Sequence, residues 1–341
     1  WVALSVSTVG VAIAGLLARD QADARPTRAV QGIDVALLVP VYNEIPQNVF
    51  GNAAAMLQDL ANRAGPHRYT LFVLSDTRDD AIAGIEWQAF EDLAARAPKG
   101  FDVHYRRRST NTDKKVGNLA EWTRGWGAAY EGMVVLDADS LMSGRAIDRL
   151  ASELSSDPDA GLIQTFPMLI GAQTVFSRLQ QFSNIAYGWL LAEGLATWAR
   201  SEGNYWGHNA IIRTRAFASS AMLPHLRGRG GRDELILSHD FVEAGLLRRA
   251  GWGVRFLPRV TGSFEETPAT LIDYVIRDRR WCRGNLQHLR LLGTKGLHPV
   301  SRFHLFHGAV AYLLSPAWFF LLVIWALLGK DSETNVIRYF N

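Results

Sequence analysis

Residues 133–139 read MVVLDAD, four apolar residues running straight into two carboxylates separated by one alanine. A short apolar run that stops on polar residues is the pattern of a strand covered on both faces. On either side of it the same pattern recurs, in DVALLVPV at 34–41, TLFVLSD at 70–76, a short run near 101–105 and GLIQTF at 161–166. Segments of helical spacing lie between these runs: 47–63, with Val49, Ala53, Met56, Leu57 and Leu60, then 79–97, 115–130 and 144–155. This alternation predicts an α/β domain whose mostly parallel sheet is flanked by helices on both faces. In such sheets ligands sit beyond the carboxyl ends of the strands. Three of those ends are Asn43-Glu44, Asp76 and Asp137-Asp139, all polar or acidic, which places the site there.

The 341 residues are 48% hydrophobic, enough for one large domain or two modest ones. A formal charge of +3 with dispersed basic residues argues against a nucleic-acid partner. Cys282 is the single cysteine, which excludes an internal disulfide framework and a multi-cysteine zinc site, and suits a reducing compartment. The chain starts at Trp1 rather than Met, so further sequence beyond its ends is expected.

Two uncharged runs stand out, residues 1–18 and Gly308–Gly329, the second interrupted by Ser315-Pro316. Each approaches the ~20 residues a helix needs to cross a hydrocarbon core. A truncated signal sequence and a buried core helix are the competing readings. Arg19, Arg25 and Arg28 follow the first run, and Lys295 and Arg302 precede the second. The positive-inside rule then puts the intervening residues in the cytoplasm. Residues 172–199 look helical and aromatic on one side, suited either to a membrane surface or to the core, and 226–233 (LRGRGGRD) reads as a mobile loop.

Several residues carry candidate chemistry. Asp137 and Asp139, at i and i+2 on a strand, would point the same way and converge on one Mg²⁺ or Mn²⁺ able to grip a diphosphate. A pair of solvated acids in a turn is the alternative. Asp76 offers acceptor oxygens to a base N–H, or caps the following helix. Lys115 opens a helix where it can neutralise phosphate, and Gly117 permits close approach of a ligand. Asp240, in Ser238-His239-Asp240, is a candidate general base or a helix cap. Arg277, Arg280 and Trp281 could bind a diphosphate and present a flat face to a sugar, or contact lipid headgroups.

Taken in order, Pro40-Val41-Tyr42-Asn43-Glu44, Asp76, Lys115-Val116-Gly117-Asn118, Asp137-Ala138-Asp139, Asp240 and Arg277-x-x-Arg280-Trp281 resemble the family 2 processive, membrane-embedded glycosyltransferases. The resemblance covers residues 34–329. Two departures, His239 before the catalytic Asp and Arg277 in place of the family's glutamine, resemble the group that builds the β-1,2-linked backbone of osmoregulated periplasmic glucans. The stretch SHDFVEAGLLRRAGWGVRFLP, residues 238–258, points the same way.

The resemblance implies a GT-A fold bracketed by transmembrane helices. It assigns 1–19 to a membrane helix, 20–170 to the nucleotide-sugar half, 171–304 to the acceptor half with interfacial helices, 305–329 to a second membrane helix and 330–341 to a tail. It also implies UDP-glucose as donor, inversion at the anomeric carbon, Mg²⁺ or Mn²⁺ as cofactor, and a multi-pass inner-membrane protein with a cytoplasmic catalytic domain. Glucan acceptor, membrane lipid, an acyl carrier protein and periplasmic glucan-processing proteins are the implied partners. On this reading Tyr42 and Asp76 hold uridine, and Glu44 lies near the ribose. Lys115 and Asp137 assist the nucleotide, Asp139 holds the metal together with Asp137, and Asp240 is the base. Arg280 stabilises the diphosphate, Arg277 is a further substrate-binding residue, Trp281 stacks under the acceptor, and Gln164 and His208 line the sugar pocket. A cellulose- or hyaluronan-type synthase and a non-catalytic nucleotide-sugar sensor are the competing functions.

Overall fold

The computed structural model describes residues 2–17, 29–228, 231 and 233–328. The first half of the chain gives α1 (Val2–Leu17), β1 (Asp34–Val41), α2 (Pro46–Ala61), β2 (Arg68–Ser75), α3 (Asp80–Arg96), β3 (Asp102–Arg107), α4 (Lys114–Gly125), β4 (Gly132–Val135), β5 (Leu141–Met142), α5 (Gly144–Ser156), β6 (Ala160–Thr165) and β7 (Met168–Ile170). Then follow α6 (Val175–Ser183), α7 (Trp189–Ala199), β8 (Ala210–Arg213), α8 (Thr214–Ala216), β9 (Leu226–Arg227), β10 (Asp233–Glu234), α9 (His239–Arg249), β11 (Gly253–Leu257), β12 (Ser263–Glu266), α10 (Leu271–His288) and α11 (Pro299–Leu328).

Seven strands form the central sheet in the order β11-β6-β8-β4-β1-β2-β3. All neighbours run parallel except β8, which is antiparallel to both β4 and β6. The mostly parallel α/β sheet expected from the sequence is present, with β8 as an addition that its apolar pattern had not announced.

Alternation along β1 builds two cores. Val35, Leu37, Val39 and Val41 pack with Phe50, Ala53 and Leu57 of α2 and with Ile147 and Leu150 of α5 on one face. Ala36 and Leu38 pack with Leu119 and Trp122 of α4 and with Ala244 and Leu247 of α9 on the other. With both faces covered, the strands must be apolar throughout, which is why they read as unbroken hydrophobic runs.

Two expectations are corrected. The strand containing Met133 ends at Val135, and Asp137-Ala138-Asp139 lies in the turn after it, closed by a Ser140 N–H bond to the Asp137 carbonyl. The i, i+2 strand argument therefore does not set the two carboxylates; the turn does. Residues 226–227 and 233–234 pair as a short antiparallel ribbon rather than forming one open loop, while Arg229, Gly230 and Arg232 lie outside the described residues.

Residues 175–199 run from α6 into α7 through a π-helical turn at Asn184–Gly188. α1 packs on α7 at a close crossing: a Cβ at Gly15 would overlap Leu190 and Gly194, and one at Gly194 would overlap Val11. Small residues let the two backbones meet. α11 is the one described helix long and apolar enough to cross a membrane, and it continues through Pro316. α1, at 16 residues, falls short of that length. Arg19, Arg25, Arg28 and the tail from 330 lie outside the described residues.

Candidate active site

The carboxyl ends of β1, β2 and β4 lie side by side, because β1 is paired in register with both β2 and β4. Beyond β1, Tyr42 is half exposed, and Asn43 adopts a left-handed φ of 51°. The Asn43 side-chain oxygen accepts the Arg78 N–H at 3.0 Å, locking this turn to the segment after β2. Glu44 senses the turn after β4: desolvation and the charges of Asp139 and Asp137 raise its pKa.

Asp76 is buried, and Arg108 holds it bidentately, with Nε 2.6 Å from Oδ1 and Nη2 2.8 Å from Oδ2. The capping alternative for Asp76 does not hold, because Asp79 caps α3 by accepting the Ala81 and Ile82 N–H groups at 2.9 and 3.1 Å. Arg108 also donates to the carbonyls of Thr112 at 3.1 Å and Lys114 at 3.0 Å. One guanidinium thus ties the end of β2 to the loop that launches α4. That loop needs the tie, since Asp113 and Lys114 both have positive φ. Gly117 serves the same loop: a Cβ there would overlap the Thr112 carbonyl, so the close approach it allows is to its own chain.

Lys115, next along α4, donates to Asp137 Oδ1 and, at 2.9 Å, to the carbonyl of Gly207. Burial raises the Asp137 pKa, but Lys115, His208 and His239 outweigh it and bring the carboxyl down to about 2. Asp139 behaves oppositely. Desolvation and the like charge of Asp137 raise its pKa, with His208 opposing them.

His208 pairs with Glu265 at 2.9 Å through Nε2, and its buried Nδ1 has no partner among the described residues. Burial lowers its pKa, yet Asp137 and Glu265 raise it to about 9, so the ring is an imidazolium at neutral pH. Gly207 before it has φ 94°, a conformation that favours glycine, and Asn209 after it has φ 50°. A Cβ built on Gly207 would lie 3.7 Å from Asp240 Oδ2. Gly207 therefore links the Lys115–Asp137 pair to Asp240.

Asp240 sits in the first turn of α9, whose N-cap is Ser238. Burial raises the Asp240 pKa, with His239 lowering it and Glu243 raising it. His239 bonds Glu243 at 3.1 Å, and although burial lowers the ring's pKa, Glu243 and Asp240 raise it above the usual value. On α10, Arg277 stacks 4.5 Å over the Trp281 ring and 5.9 Å from the Tyr274 ring. Burial lowers the Arg277 pKa, opposed by Glu265 and Asp139, so its charge faces the acidic cluster. Arg280 is exposed and Trp281 is partly so. Gln164 is buried on β6, with its Oε1 accepting the Trp206 N–H at 2.7 Å.

Among the described residues no three His, Cys, Asp or Glu side chains form a ready-made metal cage. The donors nevertheless fit a hard divalent cation. Asp139 has no ion-pair partner among the described residues, and desolvation, with the like charge of Asp137 added to it, raises its pKa. A cation completed by ligand oxygens would relieve that charge.

A family model described as glycosyl transferase family group 2 matches residues 132–329. The chain belongs to glycosyl transferase family group 2. That match spans the Asp137–Asp139 turn, Asp240 and the Arg277–Trp281 helix. The chain is 47% identical over its whole length to glucans biosynthesis glucosyltransferase H of Vibrio cholerae, covering 47% of that protein. It is 49% identical over 305 residues to the protein of the same name from Shewanella baltica, covering 89% of this chain and 42% of that one. The chain thus spans about half the length of the curated relatives it matches. Its fold is that of a mannosyltransferase from Pyrobaculum calidifontis solved with GDP-mannose and Mn²⁺, at a TM-score of 0.60 and 16% identity, covering 97% of this chain and 91% of that one. The GT-A-like α/β fold expected for family 2 is therefore present.

Sequence reasoning did not single out Arg108, Glu243 or Glu265. Arg108 had a usable signal, since it follows a strand parallel to β2 and Ser75 pairs with Arg107. Glu265 had none, because β12 reaches the site only through the small β5-β12-β7 sheet.

Proposed function

We propose that the chain is the catalytic part of an inverting, metal-dependent glucosyltransferase. On this reading it transfers glucose from UDP-glucose onto a β-glucan, the β-1,2 backbone of osmoregulated periplasmic glucans, at the inner membrane. The observation that carries the reading is the geometry at Gly207: its carbonyl takes the Lys115 ammonium while its α-carbon faces Asp240. A lysine–aspartate pair and a desolvated carboxylate thus flank the same glycine.

Asp139, with Asp137, would hold Mg²⁺ or Mn²⁺, which when bound offsets charge on the departing diphosphate. Asp240, made a stronger base by burial, takes the proton of the acceptor hydroxyl as its oxygen attacks the anomeric carbon. The bond to UDP breaks on the opposite face, so an α-linked donor gives a β-linked product. Lys115, Arg277 and Arg280 supply positive charge to the diphosphate, and the exposed Trp281 ring offers the acceptor sugar a stacking face. Tyr42 and Glu44 lie on the nucleoside side, with Asp76 held there by Arg108. Gln164 and His208 back the sugar.

α11 spans the membrane, and the exposed Val175, Leu179 and Phe182 of α6 beside Ile272 and Ile276 of α10 lie against lipid, with the catalytic body cytoplasmic. An acyl carrier protein and periplasmic glucan-processing proteins remain proposed partners of the whole protein. Membrane vesicles carrying the full-length protein should release UDP from UDP-glucose with Mg²⁺ and yield β-1,2-linked glucose on linkage analysis. No release above vesicles lacking the protein, or a different linkage, refutes the proposal.

A further inference from the structure

The segment that delivers Asp240, residues 235–238, is irregular. Among the described residues, no backbone–backbone hydrogen bond outside the regular elements reaches it. Three of its backbone groups are instead bonded from α10. Gln287 acts as a two-ended clamp: its Nε2 donates to the Leu235 carbonyl at 3.1 Å, and its Oε1 accepts the Leu237 N–H at 3.0 Å. His288, fully buried, lies with Nε2 2.8 Å from the Ser238 carbonyl. Burial lowers the His288 pKa, which favours the neutral ring with the proton on Nε2, so the ring donates. At Gly284 a Cβ would overlap Ser238, so α10 presses directly on the N-cap of α9. Ile236, also fully buried, anchors the segment in an apolar cluster with Val242 and Leu305.

The same helix carries Arg277, Arg280 and Trp281. At ~1.5 Å rise per residue, Gln287 lies about 10 Å along the axis from Arg280. A straight helix is stiff at that length, so α10 fixes the separation between the residues facing the diphosphate and the segment that aims the base.

We infer that Gln287 is a positioning residue for Asp240, acting through the 235–238 backbone and touching neither donor nor acceptor. This inference rests on Asp240 being the base. Loss of the clamp leaves Leu235 and Leu237 free to shift, and a displacement of ~1 Å at a reacting group costs on the order of 10²-fold in rate.

The test uses the full-length protein in membrane vesicles with UDP-glucose. Gln287→Met keeps the side-chain length and removes both hydrogen bonds. It should lower kcat about 10- to 100-fold while KM for UDP-glucose and UDP affinity stay within about twofold. Should Gln287→Met fail to fold, Gln287→Glu, which keeps the acceptor for the Leu237 N–H, is read in the same way. In an Asp240→Asn background the residual rate should not fall further, because the clamp has no base left to aim. Unchanged kcat, a KM that rises with the fall in kcat, or an equal fold-loss in both backgrounds overturns the inference. An Asp240→Asn protein as active as wild type overturns the base assignment itself, whereas an inactive one beside a neutral Gln287→Met overturns the clamp alone.

Discussion

Replacing Arg108 by Met should cost more stability than any surface ion pair could. Both side chains of the Arg108–Asp76 pair are 5% exposed, and two charge-assisted bonds at 2.6 and 2.8 Å hold them. Removing one partner from such a pair leaves a buried charge unpaired, a loss of about 3–5 kcal/mol, whereas an exposed pair contributes about 0–1 kcal/mol. The substitution also strips two donors from the carbonyls of Thr112 and Lys114, in a loop already strained by positive φ at Asp113 and Lys114. For a domain of 150–250 residues each kcal/mol moves Tm by about 2–4 °C, so a fall of roughly 6–20 °C is expected. Asp76→Leu combined with Arg108→Met should recover much of it, because no charge is then left buried. If Asp76 lines the nucleoside site as proposed, UDP affinity should stay low in the double variant, since Asp76 is gone and the seat of Lys115 is altered. Thermal denaturation of detergent-solubilised protein, with UDP binding measured on the same samples, provides the assay. An Arg108→Met protein within about 1 kcal/mol of wild type would refute the reasoning.

Asp240→Asn should retain UDP affinity and lose glucose transfer by about 10²-fold or more; wild-type transfer by this variant would make His239 the next candidate base. Asp139→Ala should abolish transfer and remove the gain in UDP affinity that Mg²⁺ or Mn²⁺ gives the wild type, and unaltered wild-type turnover in excess chelator would rule the metal out. The His208 pKa of about 9 lies above its unfolded value of 6.5, so its contribution to stability is complete below about pH 6.5 and lost as pH rises through 9. In chelator, Tm should therefore fall across that window, and His208→Gln should flatten the fall; equal slopes in the two proteins would remove His208 as its cause.

The sheet was legible because its strands are covered on both faces. DVALLVPV and TLFVLSD have no polar side to hide, so their ends could be placed within a residue or two of β1 and β2. β8 was not legible: Ala-Ile-Ile-Arg is only four residues long and has no adjacent acidic end to mark it. Its antiparallel insertion between β4 and β6 is a tertiary choice that local pattern does not encode. The aspartates beyond β4 were legible as a pair but not in their geometry, because a strand and the turn after it differ by only two residues in sequence.

The site itself divides along a physical line. Residues that would meet the ligand sit at element ends and announce themselves by being polar where the pattern is apolar, as Asp76, Asp137 and Asp240 do. Residues that hold those groups in place are spent on other parts of the protein. Arg108 is consumed by Asp76, Glu265 by His208, Glu243 by His239, and Gln287 by two backbone groups. Nothing in a linear pattern separates a paired Arg or Glu from a solvated one; only the partner's position does. The carboxylates carry the same distinction: Lys115, with His208 and His239, brings Asp137 down to about 2, while Asp139, two residues on, is raised by desolvation and by the like charge of Asp137. Two aspartates that look equivalent in the sequence are therefore unequal in the fold: Lys115 compensates Asp137, and Asp139 has no ion-pair partner among the described residues.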